Sequence, residues 1–462
     1  MNKNLYDTVV KNDYSVNSGA YAVVDQNIKM ELDELGEYRP VAKDPKKPID
    51  WSNPELLKVC SMSDQSPNED DISQELFSKQ KGVNYDPVIG YYTNLYAGHV
   101  EVGDFRKKAS SGGMATWILE QLLTSKDIDG IIHVKPGSKS GPMFEYSIST
   151  SVKQLRSGAK SRYYPVEFSG ALNKIKKLKG NYAVVGIPSF IMEVRLLAKQ
   201  DRLLKQRIKY TVGLICGHQK TTKYAENLAW QKGIKSKDIK SINFRKKVDQ
   251  RSAIDYDTEI TGSINGKEVK ISEPSNSFFA CGWGEGYFKA NFSDFVDDAF
   301  NETADVVLGD AWLPEYIQDS QGNNVVIVRN SKINKIIQSG IKTGQLKLDV
   351  VSLEKIKDSQ RGLIHHYRDE LPYRLRKKDK AGIWRPQKRV EASTKISLTK
   401  RRVQDMRQKI MNQSKRLYRQ AELKDDWSYF QKRLEPMIKK YRLTYRFANL
   451  KKKLGKLRSK LQ

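Results

Sequence analysis

Before residue 373 the hydrophobic positions switch repeatedly between two spacings, and each switch predicts an element. Met114, Trp117, Ile118 and Leu122 recur at helical intervals, and Ile131-Ile132-His133-Val134 beyond the Asp129-Gly130 turn reads as a short strand. Ser147 to Val152 predicts another strand, with a helix starting at Val152-Lys153-Gln154-Leu155. Tyr182 to Gly186 and Tyr210 to Cys216 are apolar runs of buried-strand type, the first turning at Ile187-Pro188 and the second ending at Gly217-His218, with a helix from Ile191 to Leu204 between them. Ile254 to Ile271 alternates as a hairpin does, with Asn265-Gly266 as its turn. Ala304 to Leu308 runs into Gly309-Asp310, Asn324 to Asn330 is one more strand, and Ile333 to Ser339 a helix. Strands alternating with helices predict an α/β domain with a largely parallel sheet. Ligands of such sheets collect at the carboxyl ends of the strands, so the loops after Val134, Ile187 and Ile215 are expected to share one crevice.

From Tyr373 the pattern changes. Ile396, Val403, Ile410 and Leu417 recur every seven residues with only Met406 to widen the stripe, and a second helical piece runs from Trp427 to Leu457. This segment carries the charge. Of the formal net +28, the residues from Tyr373 onward hold 30 basic against 7 acidic side chains, which leaves 52 against 47 in the part before them. The body is therefore near neutral, and the basic tail is expected to pack on it, to pair with a partner helix, or to lie on an anionic membrane surface. No base-reading motif accompanies the charge, so nucleic acid is not the expected partner. No apolar run reaches the roughly 18 residues of a membrane span, and the N-terminus lacks the apolar core of a signal peptide, which together read as cytoplasmic, with peripheral membrane attachment the role left to the tail. Three cysteines, Cys60, Cys216 and Cys281, are too few and too scattered for a disulfide scaffold or a local metal motif.

The stretch richest in candidate chemistry is Asp104 to Lys135. Arg106-Lys107-Lys108 leads into Ser110-Ser111-Gly112-Gly113, directly ahead of the Met114 helix. Two glycines before a helix leave amides open to an anion, although the same four residues serve as an N-cap and turn in most chains. His218 at a strand end reads either as a structural histidine or as a proton donor titrating near neutral pH. Arg245 and Lys247 in Asn243-Phe244-Arg245-Lys246-Lys247 read as a solvated face or as phosphate ligands, and Asp310 as a turn cap or a cofactor contact.

Taken in order, Arg106, Ser110, Ser111, Gly112, Gly113 and Thr116, then Ala159-Lys160-Ser161-Arg162-Tyr163-Tyr164-Pro165, Val185-Gly186-Ile187-Pro188, Gly213 to His218, Phe244 to Lys247 and Ala304 to Trp312 resemble the β-subunit family of coenzyme F-420 reducing hydrogenases and dehydrogenases over about residues 8 to 372. That resemblance implies FAD, held by Arg106, Lys107, Ser110, Ser111, Gly112, Gly113, Thr116, Lys160, Gly186, Pro188, Gly217, Arg245, Lys247 and Asp310, with His218 as the catalytic residue. It also implies iron-sulfur clusters, and here the chain departs from the pattern. Where the family has clustered cysteines of a ferredoxin-like module this sequence has Ser15, Ser18 and Tyr21, and of the four ligands only Cys60 remains. Ser189 replaces the cysteine after Gly186-Ile187-Pro188, and Ser293 and Val296 stand where relatives carry a second pair. Serine is not ionised near neutral pH and soft iron sites need thiolates, so a 4Fe-4S cluster is not expected.

The expected organisation is a degenerate ferredoxin-like module over 1–60, a connector over 61–90, an α/β flavin-binding body over 91–372 and a basic helical tail over 373–462, α+β when taken together. The expected function is flavin-dependent oxidoreduction with a redox partner or small-molecule substrate, in a surface-polysaccharide pathway of the kind where relatives occur. The alternative is a non-redox binding or scaffold protein that reuses the fold and attaches by its tail.

Overall fold

The apolar runs become neighbouring strands of one sheet. In the computed structural model, which describes residues 4–138 and 141–458, β1 (Ile28–Leu32) and β2 (Tyr38–Ala42) form an antiparallel hairpin, as do β3 (Asn84–Asp86) and β4 (Gly90–Tyr92). The strands β5 (Asn94–Val100), β6 (Gly130–Pro136), β7 (Phe144–Ser149), β8 (Tyr182–Gly186) and β9 (Ile208–Leu214) belong to the main sheet. An antiparallel three-stranded sheet of β10 (Ile239–Lys246), β11 (Asp257–Ile264) and β12 (Lys267–Pro274) follows, and β13 (Val306–Asp310), β14 (Asn324–Val328) and β15 (Leu346–Val350) return to the main sheet. Its order is β15-β5-β14-β13-β9-β8-β6-β7.

The sheet is mixed, where a largely parallel one was expected. Only β6, β8, β9 and β13 run parallel, and antiparallel strands flank them on both sides. Parallel neighbours need a crossover of about a dozen residues or more, and the link between Pro136 and Phe144 is too short for one, so β7 has to reverse. Two layers cover the sheet, and β14 shows how. Val325 and Ile327 face a core with Phe190, Ile191 and Val194 of the helix Pro188–Gln200, while Val326 and Val328 face a core with Trp117, Ile118 and Leu122 of the helix Met114–Thr124 and Ile333 and Ile337 of the helix Ser331–Lys342. The hairpin turn is as expected, with Asn265 and Gly266 both left-handed at φ 51° and 78°. The helix read over 191–204 is two helices, because Asp201 caps a second one, Arg202–Arg207, by accepting from the Leu203 and Leu204 amides at 2.8 and 3.1 Å.

The expected divisions at residues 60, 90 and 372 do not separate cores. Leu5, Tyr14, Val16, Ile28 and Leu56 share one cluster with Phe190, Phe295, Ile410 and Phe430. The heptad stripe of the tail, on the helix Leu398–Lys424, is spent on this packing: Val403 and Ile410 are buried, and Tyr418 meets Phe288 edge-on at 5.6 Å and Trp230 at the same separation. Phe430 of the helix Trp427–Arg458 packs on Phe279 and Phe288, each at 5.7 Å. Charge follows the same route. Lys415 reaches Glu37 at 2.5 Å with both side chains buried, Arg374 donates to the carbonyls of Asp294 and His366 at 2.8 and 2.7 Å, and Arg389 spans Asp297, Glu302 and Asp70. Of the three fates read for the tail, packing on the body is the one realised for its apolar stripe. No helix of the described residues is long and apolar enough to cross a membrane.

Candidate functional site

A cluster of cations gathers where four loops meet. Arg106 comes from the helix Phe105–Lys108, Lys160 and Arg162 from the loop after the helix Val152–Ser157, Arg245 from the end of β10, and Lys247 from just beyond it. Lys247 donates to the carbonyls of Arg106 and Ser111 at 2.5 and 2.9 Å, and Lys160 donates to that of Ala109 at 3.3 Å. Neither ammonium has a carboxylate partner among the described residues. Burial, with Lys160, Arg106 and Arg245 close by, pushes the Lys247 ammonium down to about 7, and burial with Arg162 and Arg245 pushes Lys160 down to about 8. Arg162, half-buried, donates to the Ala159 and Ser161 carbonyls at 3.0 and 3.5 Å, lies over the Phe144 ring at 5.0 Å, and leaves its Nε without a partner. Asp310, at the carboxyl end of β13 as expected, is taken by Arg245 through a two-pronged pair of 2.8 and 2.9 Å, and the Arg245 Nε is also unpartnered. Arg106 is committed to Asp319 and to the Gly322 carbonyl, while Lys107 is exposed and Thr116 half-buried one turn into the helix. Buried like charges with spare donors make a place for an anion.

The Ser110–Gly113 turn borders this cluster but is not an open phosphate cradle. Ser110 Oγ accepts from the Ser161 amide at 2.9 Å, Ser111 Oγ donates to the Asn323 carbonyl at 2.8 Å, and the Met114 amide donates to Asn324 Oδ1 at 3.3 Å. A Cβ on Gly112 would stand 2.7 Å from the Gly98 carbonyl oxygen, and one on Gly113 would stand 2.9 Å from the backbone of Phe105 and Arg106. These glycines admit the chain's own backbone. The turn reading of this motif describes its geometry, and the cations around it supply the anion chemistry.

A row of rings, Phe244, Tyr163, Trp283 and His218, with successive centroids 5.3, 4.6 and 4.3 Å apart, leads from the cations to a cleft of about 1220 Å³. The cleft lies beyond the carboxyl ends of β9 and β13, where Gly217, His218 and Trp312 line it and Gln360 donates to the Asp310 carbonyl at 2.8 Å. A side chain on Gly217 would strike Leu363 and Trp283, and the Gly217 carbonyl accepts from the Tyr367 hydroxyl. His218 is buried with its Nε2 unpartnered. Burial, with Lys220 and Lys289 alongside, holds its imidazole well below the usual range, so it stands neutral near pH 7 and the expected proton delivery from a cationic His218 is not available. What it offers the cleft is a neutral ring, since the Nε2 atom itself is shut off from solvent. The sequence pattern did not mark Tyr163 and Trp283 as the link, nor the His365–Asp369 turn of helix and the tail residues that line the cleft; of these only Tyr163 lay in a family-like motif, Ala159 to Pro165.

Both sets of degenerate cluster positions converge in space. Around the first, Ser15 donates to the Tyr21 hydroxyl at 3.4 Å and Tyr21 to the Cys60 sulfur at 3.1 Å, while Ser18 donates to Glu193, which also accepts from the Ser61 amide and hydroxyl at 3.1 and 2.9 Å. Burial, with Glu193 nearby, pushes the Cys60 thiol up to about 12, so even the remaining sulfur is held protonated. Around the second, Ser189, Cys216, Ser293, Val296, Pro188 and His218 enclose a void of about 10 Å³, room for roughly one water. Gly186 beside it packs on Ile191, and its carbonyl accepts from Asn301 at 2.9 Å. A phenol, a carboxyl and hydroxyls fill the first site and the second has no space, so the residues present do not fit an iron-sulfur cluster at either.

Glu193 gives this plug a pH signature. Its carboxyl is pushed up to about 7 by burial, against the pull of Ser18 and Ser61. An unfolded glutamate releases its proton near 4.5, so this group's contribution to stability falls as pH rises from there to about 7 and is level above. Glu193→Gln removes that loss. Relative to wild type the variant is expected to gain roughly 2–3 kcal/mol between pH 5 and pH 8 in urea unfolding. Parallel pH dependences of the two proteins would show that the carboxyl does not hold its proton.

The family model described as coenzyme F420 hydrogenase/dehydrogenase, beta subunit N-term, matches residues 95–173, and its companion, which describes the C terminus of the same beta subunit, matches residues 179–353. No curated protein matches the chain. Among solved structures, one chain of the F420-reducing [NiFe] hydrogenase complex from Methanosarcina barkeri is similar in fold at 16% identity and a TM-score of 0.50, over 66% of this chain and 98% of that one. The cation cluster, the strand-end cleft and the two converged cluster positions all involve the matched stretches, which together exceed half of the sequence, and the chain belongs to the coenzyme F420 hydrogenase/dehydrogenase β-subunit family.

Proposed function

We propose that this protein is a flavin-dependent oxidoreductase working without iron-sulfur clusters. The observation that carries the reading is the cation cluster of Lys160, Arg162 and Lys247, half-buried, without carboxylate partners among the described residues, and joined to the strand-end cleft by the row of rings. Membership in a redox family supports it, and these residues fit FAD: Lys160, Arg162 and Lys247 would hold the phosphates. Bound FAD supplies two-electron transfer at its N5. Arg245 and Asp310 form a closed ion pair at the carboxyl end of β13, and the Phe244-Tyr163-Trp283 row links the cations to the cleft, whose wall Trp283 joins. His218, neutral and stacked on Trp283, serves as part of the cleft wall rather than as an acid. The solved relative is part of a hydrogenase complex; for this chain the donor is a partner subunit or diffusible reductant that reaches the flavin directly, because neither cluster site fits a relay.

Titration of flavin-stripped protein with FAD, followed by quenching of flavin fluorescence, tests this. Wild type is expected to bind and turn yellow, and Lys160→Ala/Lys247→Ala to bind at least roughly tenfold more weakly while keeping its circular dichroism. A wild type that stays colourless in excess FAD would sink the redox reading and leave the non-redox one, which the loss of thiolates at both cluster positions favours.

A further inference from the structure

The cleft is closed by residues that lie beyond both stretches of family likeness, which end at residue 353. Lys395 to Lys400, Val403 and Arg407 line it from the tail's connecting segment and the start of the helix Leu398–Lys424. Charge on this wall is uneven. Glu370 is engaged by Arg407 at 3.1 Å and by Gln404 at 2.6 Å, Asp369 by His365, and Lys289 by Asp294. Lys395 and Lys400 have no carboxylate partner among the described residues. Ser397 caps the helix by accepting from the Lys400 amide at 3.3 Å, and Leu398 and Thr399, the first residues of a 27-residue helix, border the cleft with the positive end of its dipole. His218 and Trp283, their rings stacked with centroids 4.3 Å apart, line the cleft as well. Between the polar ends the lining is apolar, with Leu363, Ile396 and Val403.

We propose that the C-terminal segment makes this cleft a site for a small amphipathic anion, with a carboxylate or phosphate held by Lys395, Lys400 and the helix start, and an apolar body lying on Leu363, Ile396 and Val403. The proposal deepens the oxidoreductase reading by naming the class of the second substrate, and it rests on that reading only for the word substrate. The tail thus acts as the selecting wall of the site, a role the family-matched residues leave open.

Calorimetric titration of the full-length protein with 2-naphthoate, 2-naphthyl phosphate and neutral 2-naphthol separates the terms. Both anions are expected to bind more tightly than 2-naphthol, and the tighter of the two identifies the preferred headgroup. Lys395→Gln/Lys400→Gln, at surface positions that leave the fold intact, is expected to weaken both anions about tenfold and leave 2-naphthol unchanged. Lys160→Ala/Lys247→Ala is expected to leave all three affinities unchanged. Equal binding of anions and naphthol, no binding of any probe, or a loss confined to the Lys160/Lys247 variant would overturn the proposal. None of these titrations needs flavin, so a protein that fails to bind FAD but passes them loses the redox reading and keeps the anion site.

Discussion

A chain that stops at residue 389 is expected to aggregate instead of folding to a soluble monomer. Val403, Ile410, Tyr418, Phe430, Leu434 and Ile438 are all buried, and losing them exposes the faces of Trp230, Phe279 and Phe288 that they cover. Each large apolar side chain stabilises by about 1.5–3 kcal/mol when fully buried, so six of them, roughly 9–18 kcal/mol together, are comparable to the whole margin of about 5–15 kcal/mol on which a domain stands. Glu37 would also lose Lys415 from the core and keep the longer contact to Arg39 at 3.5 Å, which adds to the loss. Size-exclusion chromatography and thermal melting of the truncated protein decide the matter. A monomer with a cooperative melt would mean that the tail helices contribute nothing to the fold.

The second large effect is expected at Gly113. Valine there has to take a left-handed φ of 87° and put its Cβ 2.9 Å from the backbone of Phe105 and Arg106. A β-branched residue in that region costs at least about 1–3 kcal/mol in conformation alone, and the contact adds to it because backbone has nowhere to retreat. Gly113→Val should therefore lose several kcal/mol of stability, as judged by urea midpoint, and any loss of flavin should follow from unfolding. Lys247→Ala makes the contrast: a normal melt with weakened FAD binding. If Gly113→Val melts normally and loses only FAD, the turn is a phosphate cradle after all.

The difference between those two variants shows what was legible in the sequence. Gly112 and Gly113 were found because the motif is real, but a left-handed glycine ahead of a helix looks the same in one dimension whether a phosphate or a neighbouring loop approaches it. The hairpin at Asn265-Gly266, the delivery of Asp310 to a strand end and the helix at Met114 were readable because local geometry decides them. Strand direction was decided by connection length, which the apolar pattern does not carry. The convergence of Ser15, Tyr21 and Cys60 followed from family order, yet Glu193 as the group that joins Ser18 to Ser61 could not be read, since one acid in an apolar helix gives no sign of its partners. For the tail, a seven-residue stripe fits body, partner or membrane equally, and only the far-off rings of Phe279 and Phe288 choose among them. Lys395 and Lys400 were part of a charge count until the fold set them on the cleft.

Lys415 and Glu37 lie 378 residues apart in the chain, and the core that surrounds them draws on both ends of it. Contacts of that separation form late, because the whole intervening loop has to be closed before they repay its entropy. Leu5, Tyr14 and Ile28 share that core with Ile410 and Phe430, so it is complete only when segments more than 350 residues apart have met. A chain that has folded only its family-matched stretches therefore has an incomplete core and a cleft without the wall that residues 395–407 supply. Its demand on chaperones is set by the part of the chain that the family-matched stretches do not include.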